Sequence, residues 1–255
     1  MLLTADQRRE NIIALIKKEG KVRVSELSKL YNISEVTIRT DLEHLESTGS
    51  ITRIHGGAIA RDKLYIDMDV VERLNTNAAS KKAIASRLAD FINDDDTLII
   101  NSGTTLTYVL RNLKSKKNIT ILTNSISNAT EAASYYGFNV TLLGGTLETK
   151  YGFTYGPDAI AQLEKYHATK CIISVDGITT DNGLSLYYSS EADLVRKMIE
   201  RADRTIVVAD SSKIGKNTFA QIAPLSSVDM IITSESENRS EINNIKKAGV
   251  SVYEA

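Results

Sequence analysis

At 255 residues, 42% hydrophobic and 25% charged, the chain has the composition of a globular protein, with length for one large domain or a small and a medium one. A formal net charge of −1 argues against a surface coated with basic groups for nonspecific nucleic-acid binding. The single cysteine, Cys171, excludes an internal disulfide and a thiolate metal cluster; no apolar run approaches membrane-spanning length and no signal-peptide pattern follows Met1-Leu2-Leu3, so a cytoplasmic location is expected.

Thr4-Ala5-Asp6-Gln7 has the spacing of a capping box, so a first helix is expected from there to Glu19-Gly20, with Ile12, Leu15 and Ile16 on its apolar face. Val22-Arg23-Val24 suits a minimal strand, and Ser25 is placed to cap a second helix carrying Leu27 and Leu30. Ser34 then caps a third helix over residues 33–45. Ile38, Leu42 and Leu45 fall at i, i+4 and i+7, one apolar stripe at helical period. Val36, Arg39 and Thr40 lie away from that stripe and Thr37 on its flank, a set of methyls, hydroxyls and a guanidinium suited to a DNA groove. Alone, the helix would pass for an ordinary amphipathic one. Gly49 is expected to end it, Ile51-Thr52-Arg53-Ile54 to form a strand, and His55-Gly56-Gly57-Ala58 a tight turn. Helix, strand, helix, recognition helix and glycine-tipped hairpin describe a winged helix-turn-helix over residues 1–57. Arg8, Arg9, Lys17, Lys18, Lys21, Arg23, Arg39, Arg53 and His55 could then form one phosphate-contacting surface, while Asp41 is better suited to orienting a neighbour.

Residues 58–77 read as a connector, with Arg61-Asp62-Lys63 followed by alternation at Leu64, Ile66, Met68 and Val70 that suggests an extended segment. A helix is expected over 78–91, with Ile84, Leu88 and Phe91 on one side. From Asp94 on, strand and helix patterns alternate, with strands over 97–101, 119–123, 139–143, 170–175, 205–209, 229–233 and 250–253 and a helix over 190–202. Several strands are unbroken Val, Ile and Leu runs, as in strands covered on both faces, so residues 78–255 are expected to form an α/β domain with a mostly parallel sheet.

Polar and glycine residues gather just past these strands: Asn101-Ser102-Gly103-Thr104-Thr105, Thr123-Asn124-Ser125, Gly144-Gly145-Thr146, Asp176-Gly177 and Asp210-Ser211-Ser212-Lys213. Open α/β sheets place their ligand crevice outside the carboxyl ends of the strands, where these five loops can converge. The first opens a helix, a favourable phosphate site. Turn and cap chemistry alone would also account for each loop taken singly. Tyr151 and Tyr155 suit packing or the rim.

Val36-Thr37-Ile38-Arg39-Thr40-Asp41-Leu42 followed by Arg53-Ile54-His55-Gly56-Gly57-Ala58 resembles the N-terminal signature of DeoR-family bacterial transcription regulators. Ser102-Gly103-Thr104-Thr105, Thr123-Asn124, Gly144-Gly145, Val175-Asp176-Gly177-Ile178, Gly183-Leu184, Glu191 and Asp210-Ser211-Ser212-Lys213 resemble the family's effector domain, which is similar in fold to ribose-5-phosphate isomerase and glucosamine-6-phosphate deaminase. The resemblance spans nearly the whole chain. It implies that Ser102 to Thr105 and Lys213 help hold the phosphate of a sugar phosphate, while Asp176 and Glu191 face the sugar. Thr40 departs from the family's frequent second arginine, Asn101 from an aspartate common before Ser-Gly-Thr-Thr, and Ser234 from an aspartate common after Ile231-Ile232-Thr233.

The expectation is therefore a sequence-specific transcriptional regulator, a repressor of a sugar-metabolism operon controlled by a phosphorylated sugar, working as a homo-oligomer on double-stranded DNA without cofactor, metal or catalytic residues. Ser34, Val36, Thr37, Arg39, Thr40, Arg53, His55 and Gly56 are its expected DNA contacts. Asn101, Ser102, Gly103, Thr104, Thr105, Thr123, Asn124, Gly144, Gly145, Asp176, Glu191 and Lys213 are its expected effector contacts. The competing reading is a sugar-phosphate isomerase or deaminase with an appended nucleic-acid-binding module, with Asp176, Glu191 and Lys213 as acid–base groups.

Overall fold

Thr4 opens the first helix with the reciprocal pair its spacing predicts: its hydroxyl accepts from the Gln7 amide at 3.3 Å, and the Gln7 side chain accepts from the Thr4 amide at 3.1 Å. The computed structural model describes residues 3–47, 51–60 and 68–255. Helix α1, Ala5–Glu19, buries Ile12 and Ile16 and ends where Gly20 turns left-handed at φ 75°. After β1, Lys21–Arg23, helix α2 runs over Val24–Tyr31. It starts one residue before Ser25, so Ser25 is not its cap; instead the Arg23 amide at the cap position donates to Glu26 Oε2 at 3.3 Å. Helix α3, Glu35–Ser47, is capped by Ser34, whose hydroxyl accepts from the Thr37 amide at 3.2 Å. Its expected stop, Gly49, lies outside the described residues.

Strands β2, Ile51–Ile54, and β3, Gly57–Ala60, form the wing hairpin, and β3 lies between β2 and β1 in an antiparallel sheet. Only glycine fits at 57, because a Cβ there would sit 2.1 Å from the Val22 carbonyl oxygen across the β1–β3 ladder. Ile38, Leu42 and Leu45 pack with Ile12, Ile16, Leu27 and Ile51 in one core, each such burial worth roughly 1.5–3 kcal/mol.

The first compact unit extends to Met68 and the second is Asp69–Ala255. The wing therefore passes the expected end at 57, since the strand that completes it begins there. In the expected connector, Arg61, Asp62, Lys63, Leu64 and Ile66 lie outside the described residues. Val70 opens helix α4, Val70–Asn75, instead of continuing an extended segment. A capping box decides against the period of two: Asp69 accepts from the Glu72 amide at 2.8 Å, and Glu72 from the Asp69 amide at 3.0 Å.

After α5, Ala78–Ala89, the second unit builds a sheet from β4 Thr97–Ile100, β5 Thr120–Thr123, β6 Asn139–Leu142, β9 Lys170–Ser174, β12 Thr205–Ala209, β14 Met230–Thr233 and β15 Ser251–Glu254. All seven expected strands form, with ends within one residue of those expected. Their order is β15-β14-β12-β9-β4-β5-β6 and every neighbouring pair is parallel. Alternate residues feed the two faces, Ile99, Ile173, Val207 and Ile231 on one and Leu98, Ile100, Ile172, Ile206 and Ile232 on the other. Helices α6 Thr104–Asn112, α7 Ile126–Ala133, α8 Pro157–Leu163, α9 Ser189–Glu200 and α10 Arg239–Lys247 lie between strands in the chain. Short antiparallel pieces that the sequence did not reveal complete the unit: β7 Thr146–Glu148 with β8 Phe153–Tyr155, and a sheet of β10 Gly177–Thr179, β11 Gly183–Leu186 and β13 Ala220–Ala223. The chain proceeds outward from β4 to β6, then returns to β9 on β4's other side. The β4/β9 boundary is thus the switch point at which such sheets open a crevice.

Candidate functional site

Within the first unit, α3 presents a polar face. Ser34, Val36, Thr37, Arg39 and Thr40 are exposed, Val36 by 68%, while Ile38 and Leu42 are fully buried. The Ser34 and Thr37 hydroxyls share a bond of 3.0 Å, and Thr40 donates to the Val36 carbonyl at 3.2 Å. Arg39 Nη2 donates to Glu35 Oε2 at 2.9 Å. On the wing, the Arg53 guanidinium donates to Glu43 Oε1 at 2.8 Å and its amide to Glu46 Oε1 at 2.9 Å, tying β2 to the later half of α3. His55 and Gly56 are exposed at the hairpin tip, where Gly56 takes φ 77°.

Two members of the expected basic surface face inward. Arg8 Nε and Arg9 Nε lie 2.6 Å and 2.9 Å from the two oxygens of Asp41, whose carboxylate is 1% exposed. They fasten α1 to α3, and Asp41 orients neighbours as expected of it. Lys21, Arg23, Arg39 and His55 remain exposed. The side chains of Lys17 and Lys18 lie outside the described set.

In the second unit the expected residues take different roles. Asn101, fully buried past β4, donates through its amide to the Ser174 carbonyl at 3.0 Å and accepts from the Ser174 amide at 2.8 Å. It thus extends the β4–β9 pairing across the switch point. An aspartate could accept there but not donate. Both polar atoms of the Asn101 side chain are thus engaged by the Ser174 backbone. Ser234 similarly serves the Ser211 turn, accepting from the Ser211 amide at 2.9 Å. Gly103 is close to Ser174, where a Cβ would meet the serine Cβ at 2.6 Å. Thr123 accepts from the Ser125 amide at 3.1 Å. Gly144 and Gly145 answer to packing, the first donating to Gln162 Oε1 at 3.0 Å and the second passing 2.6 Å, as a Cβ, from the Tyr155 carbonyl.

The loops after β4 and β5 meet α9 at Glu191. Its Oε1 accepts from Asn124 Nδ2 at 3.0 Å and from the Ser102 amide at 3.3 Å. Burial raises this carboxyl to about 7; the Asn124 and Ser102 donors oppose the rise, and Asp176 adds to it. Asp176 accepts from the Tyr187 amide at 3.0 Å and lies 3.9 Å from Lys213 Nζ, itself 5% exposed.

Two cations absent from the expected set lie beside these loops. Lys81 of α5, 1% exposed, donates to Thr104 Oγ1 at 2.9 Å and, through a short bond, to the Arg73 carbonyl of α4. Burial brings its amine down to about 8; Asp210 raises it, and Lys213 and Arg73 lower it. The Arg73 guanidinium lies over the Tyr151 ring, 4.4 Å from its centroid, and Tyr151 shares a short hydroxyl bond with Tyr188. Lys81 precedes Ile84 and Leu88 by three and seven residues. A lysine on an apolar stripe was the signal available in the sequence. Lys81, Lys213 and Arg73 near the start of α6 make an arrangement that favours an anion.

Among the described residues no helix is long and apolar enough to cross a membrane. Residues 8–63 match the DeoR-like helix-turn-helix domain and residues 76–235 the DeoR C terminal sensor domain. The chain is 35% identical over 246 residues to the uncharacterized HTH-type transcriptional regulator YulB of Bacillus subtilis, covering 96% of this chain and 95% of that one. It is 34% identical over 248 residues to the putative aga operon transcriptional repressor of Escherichia coli O157:H7, covering 96% and 92%. To the HTH-type transcriptional repressor GlcR of Bacillus subtilis it is 31% identical over 245 residues, covering 96% and 94%. Ribose 5-phosphate isomerase from Plasmodium falciparum shares 18% identity at a TM-score of 0.39 over 52% of this chain and 51% of that one, a likeness that carries no further argument. These relatives are regulators and repressors by name, so the isomerase or deaminase reading is set aside. The chain belongs to the DeoR family of DNA-binding helix-turn-helix transcriptional regulators.

Proposed function

We propose that the chain represses a sugar-metabolism operon and is controlled by a phosphorylated sugar bound at the β4/β9 switch point. DNA contact falls to Ser34, Val36, Thr37, Arg39, Thr40, Arg53, His55 and Gly56, in a reader module of residues 1–57 lengthened by the strand that closes the wing. The effector meets Ser102, Gly103, Thr104, Thr105, Asn124, Asp176, Glu191 and Lys213, with Lys81 and Arg73 added. Thr123, Gly144 and Gly145 shape the loops around them. The carrying observation is Lys81, a buried amine held on the Thr104 hydroxyl by neutral acceptors with two further cations close by. The carboxylates of Asp176 and Asp210 offset part of this charge, and a phosphoryl group suits the positive charge that remains. Asp176 and Glu191 supply acceptors suited to sugar hydroxyls. Repression accords with the names of two of the relatives. A homo-oligomer in the cytoplasm accords with paired half-sites on an operator.

Thermal-shift measurements with a panel of sugar phosphates, their parent sugars and inorganic phosphate test the cleft. At least one sugar phosphate should stabilise the protein beyond both its sugar and phosphate alone, since a ligand of the native state raises stability by mass action. Equal shifts from every sugar phosphate and from inorganic phosphate would leave only a nonspecific anion site and refute sugar recognition.

A further inference from the structure

Glu35 lies outside the DNA-facing set proposed above, yet it is the acceptor that holds Arg39. Helix α3 carries four carboxylates, Glu35, Asp41, Glu43 and Glu46, and one arginine. Asp41 is turned inward on Arg8 and Arg9, while Glu43 and Glu46 hold the side chain and amide of Arg53. Glu35 and Arg39 remain as an exposed pair one turn apart, 2.9 Å between Oε2 and Nη2, beside the buried stripe of Ile38 and Leu42.

This pairing changes what Arg39 can bind. Toward DNA the couple is close to neutral. A phosphate reaching Arg39 would have to share its guanidinium with a carboxylate already 2.9 Å away, and the two anions would repel. A base edge carries dipoles but no net charge, so that repulsion does not arise. Glu35 occupies only one of the guanidinium's five N–H groups, leaving the rest of the fork for two parallel acceptors. Guanine O6 and N7 present such a pair in the major groove. The exposed Val36 methyls, one turn from Thr40, flank the fork with the apolar surface that a neighbouring thymine methyl would meet.

We propose that Arg39, braced by Glu35, reads a guanine edge and does not clamp a phosphate, which makes Glu35 a specificity-determining positioning residue. The proposal rests on the reading of α3 as the DNA-recognition helix.

The test uses the full-length protein and a pool of duplexes with a randomised segment. Wild-type protein selects a consensus, and binding of consensus and unselected duplexes is then followed across a salt series. Arg39→Ala and Arg39→Lys should both lose roughly 10- to 100-fold in discrimination at one G·C pair, because lysine keeps the charge but not the fork. The salt slope of Arg39→Ala should match wild type, as a base contact releases no counterions. Glu35→Ala should bind unselected duplexes more tightly, with a slope steeper by about one, as the freed arginine turns to phosphate. The proposal is overturned if Arg39→Ala weakens every duplex alike and lowers the slope by about one, or if Glu35→Ala changes neither discrimination nor slope. Failure of the wild-type protein to select any consensus would instead sink the DNA-reading function itself, and this inference with it.

Discussion

Lys81→Met should expose the conflict built into the cleft. Burial takes the Lys81 amine from 10.5 to about 8, and at ~1.4 kcal/mol per pH unit this corresponds to about 3 kcal/mol opposing folding at pH 7. Methionine fills a similar volume without charge, but removes the donor to the Thr104 hydroxyl and leaves the Arg73 carbonyl only the Thr104 hydroxyl at 3.4 Å, at a cost of about 1–3 kcal/mol. Near pH 7 these effects oppose each other, so removing a fully buried side chain should cost little. The pH dependence is sharper. Between pH 8 and 10.5 the folded state binds fewer protons at this site than the unfolded state, so stability rises with pH in the wild type and the contribution vanishes in the variant. Urea unfolding of the second unit's transition, measured at several pH values from 7 to 10.5, should show the wild type gaining up to about 3 kcal/mol on the variant. A difference that stays flat, or that shrinks as pH rises, would refute the buried-cation argument. The variant should also lose the thermal shift given by sugar phosphates.

Glu191→Gln should behave with the opposite sign: the wild-type carboxyl, raised from 4.5 to about 7, favours its protonated form in the fold, so wild-type stability falls between pH 4.5 and 7 while the variant's contribution stays level; urea midpoints across that window check it. Asp41→Asn leaves Arg8 and Arg9 without their shared carboxylate and should cost the first unit about 3 kcal/mol, read as lost DNA binding with the effector's thermal shift retained. Gly57→Ala places a Cβ 2.1 Å from the Val22 carbonyl and should part β1 from β3, seen as faster amide exchange along both strands and weakened DNA binding. Asn101→Asp sets a carboxylate against the Ser174 carbonyl and should destabilise the second unit by about 1–3 kcal/mol in the same urea assay.

Much of the fold is legible in the sequence because single rules govern it. Unbroken runs such as Ile206, Val207 and Val208 admit little but a strand covered on both faces, and the seven-stranded sheet appears where such runs occur. The Thr4 and Ser34 caps act locally and were equally legible. Where two local rules competed, the pattern misled. Val70 fits an alternating segment and a capping box at once, and the box prevailed because it satisfies two amides that an extended chain would leave to solvent. A three-residue strand such as Gly177–Thr179 offers too few alternations to declare itself, although its antiparallel partner Gly183–Leu186 follows closely in the chain.

The cleft shows why residue type and loop position are weaker guides to a site than to a fold. Asn101 and Ser102 are adjacent, both polar and both past β4. One spends its side chain on Ser174 across the switch point, while the other gives its amide to Glu191. Only strand order separates these outcomes, since Ser174 becomes Asn101's neighbour through the pairing of β4 with a strand some 70 residues later in the chain. The same dependence hid Lys81. On α5 it occupies a core position that hydrophobic periodicity reserves for an apolar residue, and its partners, the Arg73 carbonyl and Thr104, belong to an expected connector and an expected loop. A charge on a core stripe is costly enough to require compensation from the fold. In this chain it therefore points to the proposed site more directly than the loop glycines, whose positions packing against Gln162 and Tyr155 already explains.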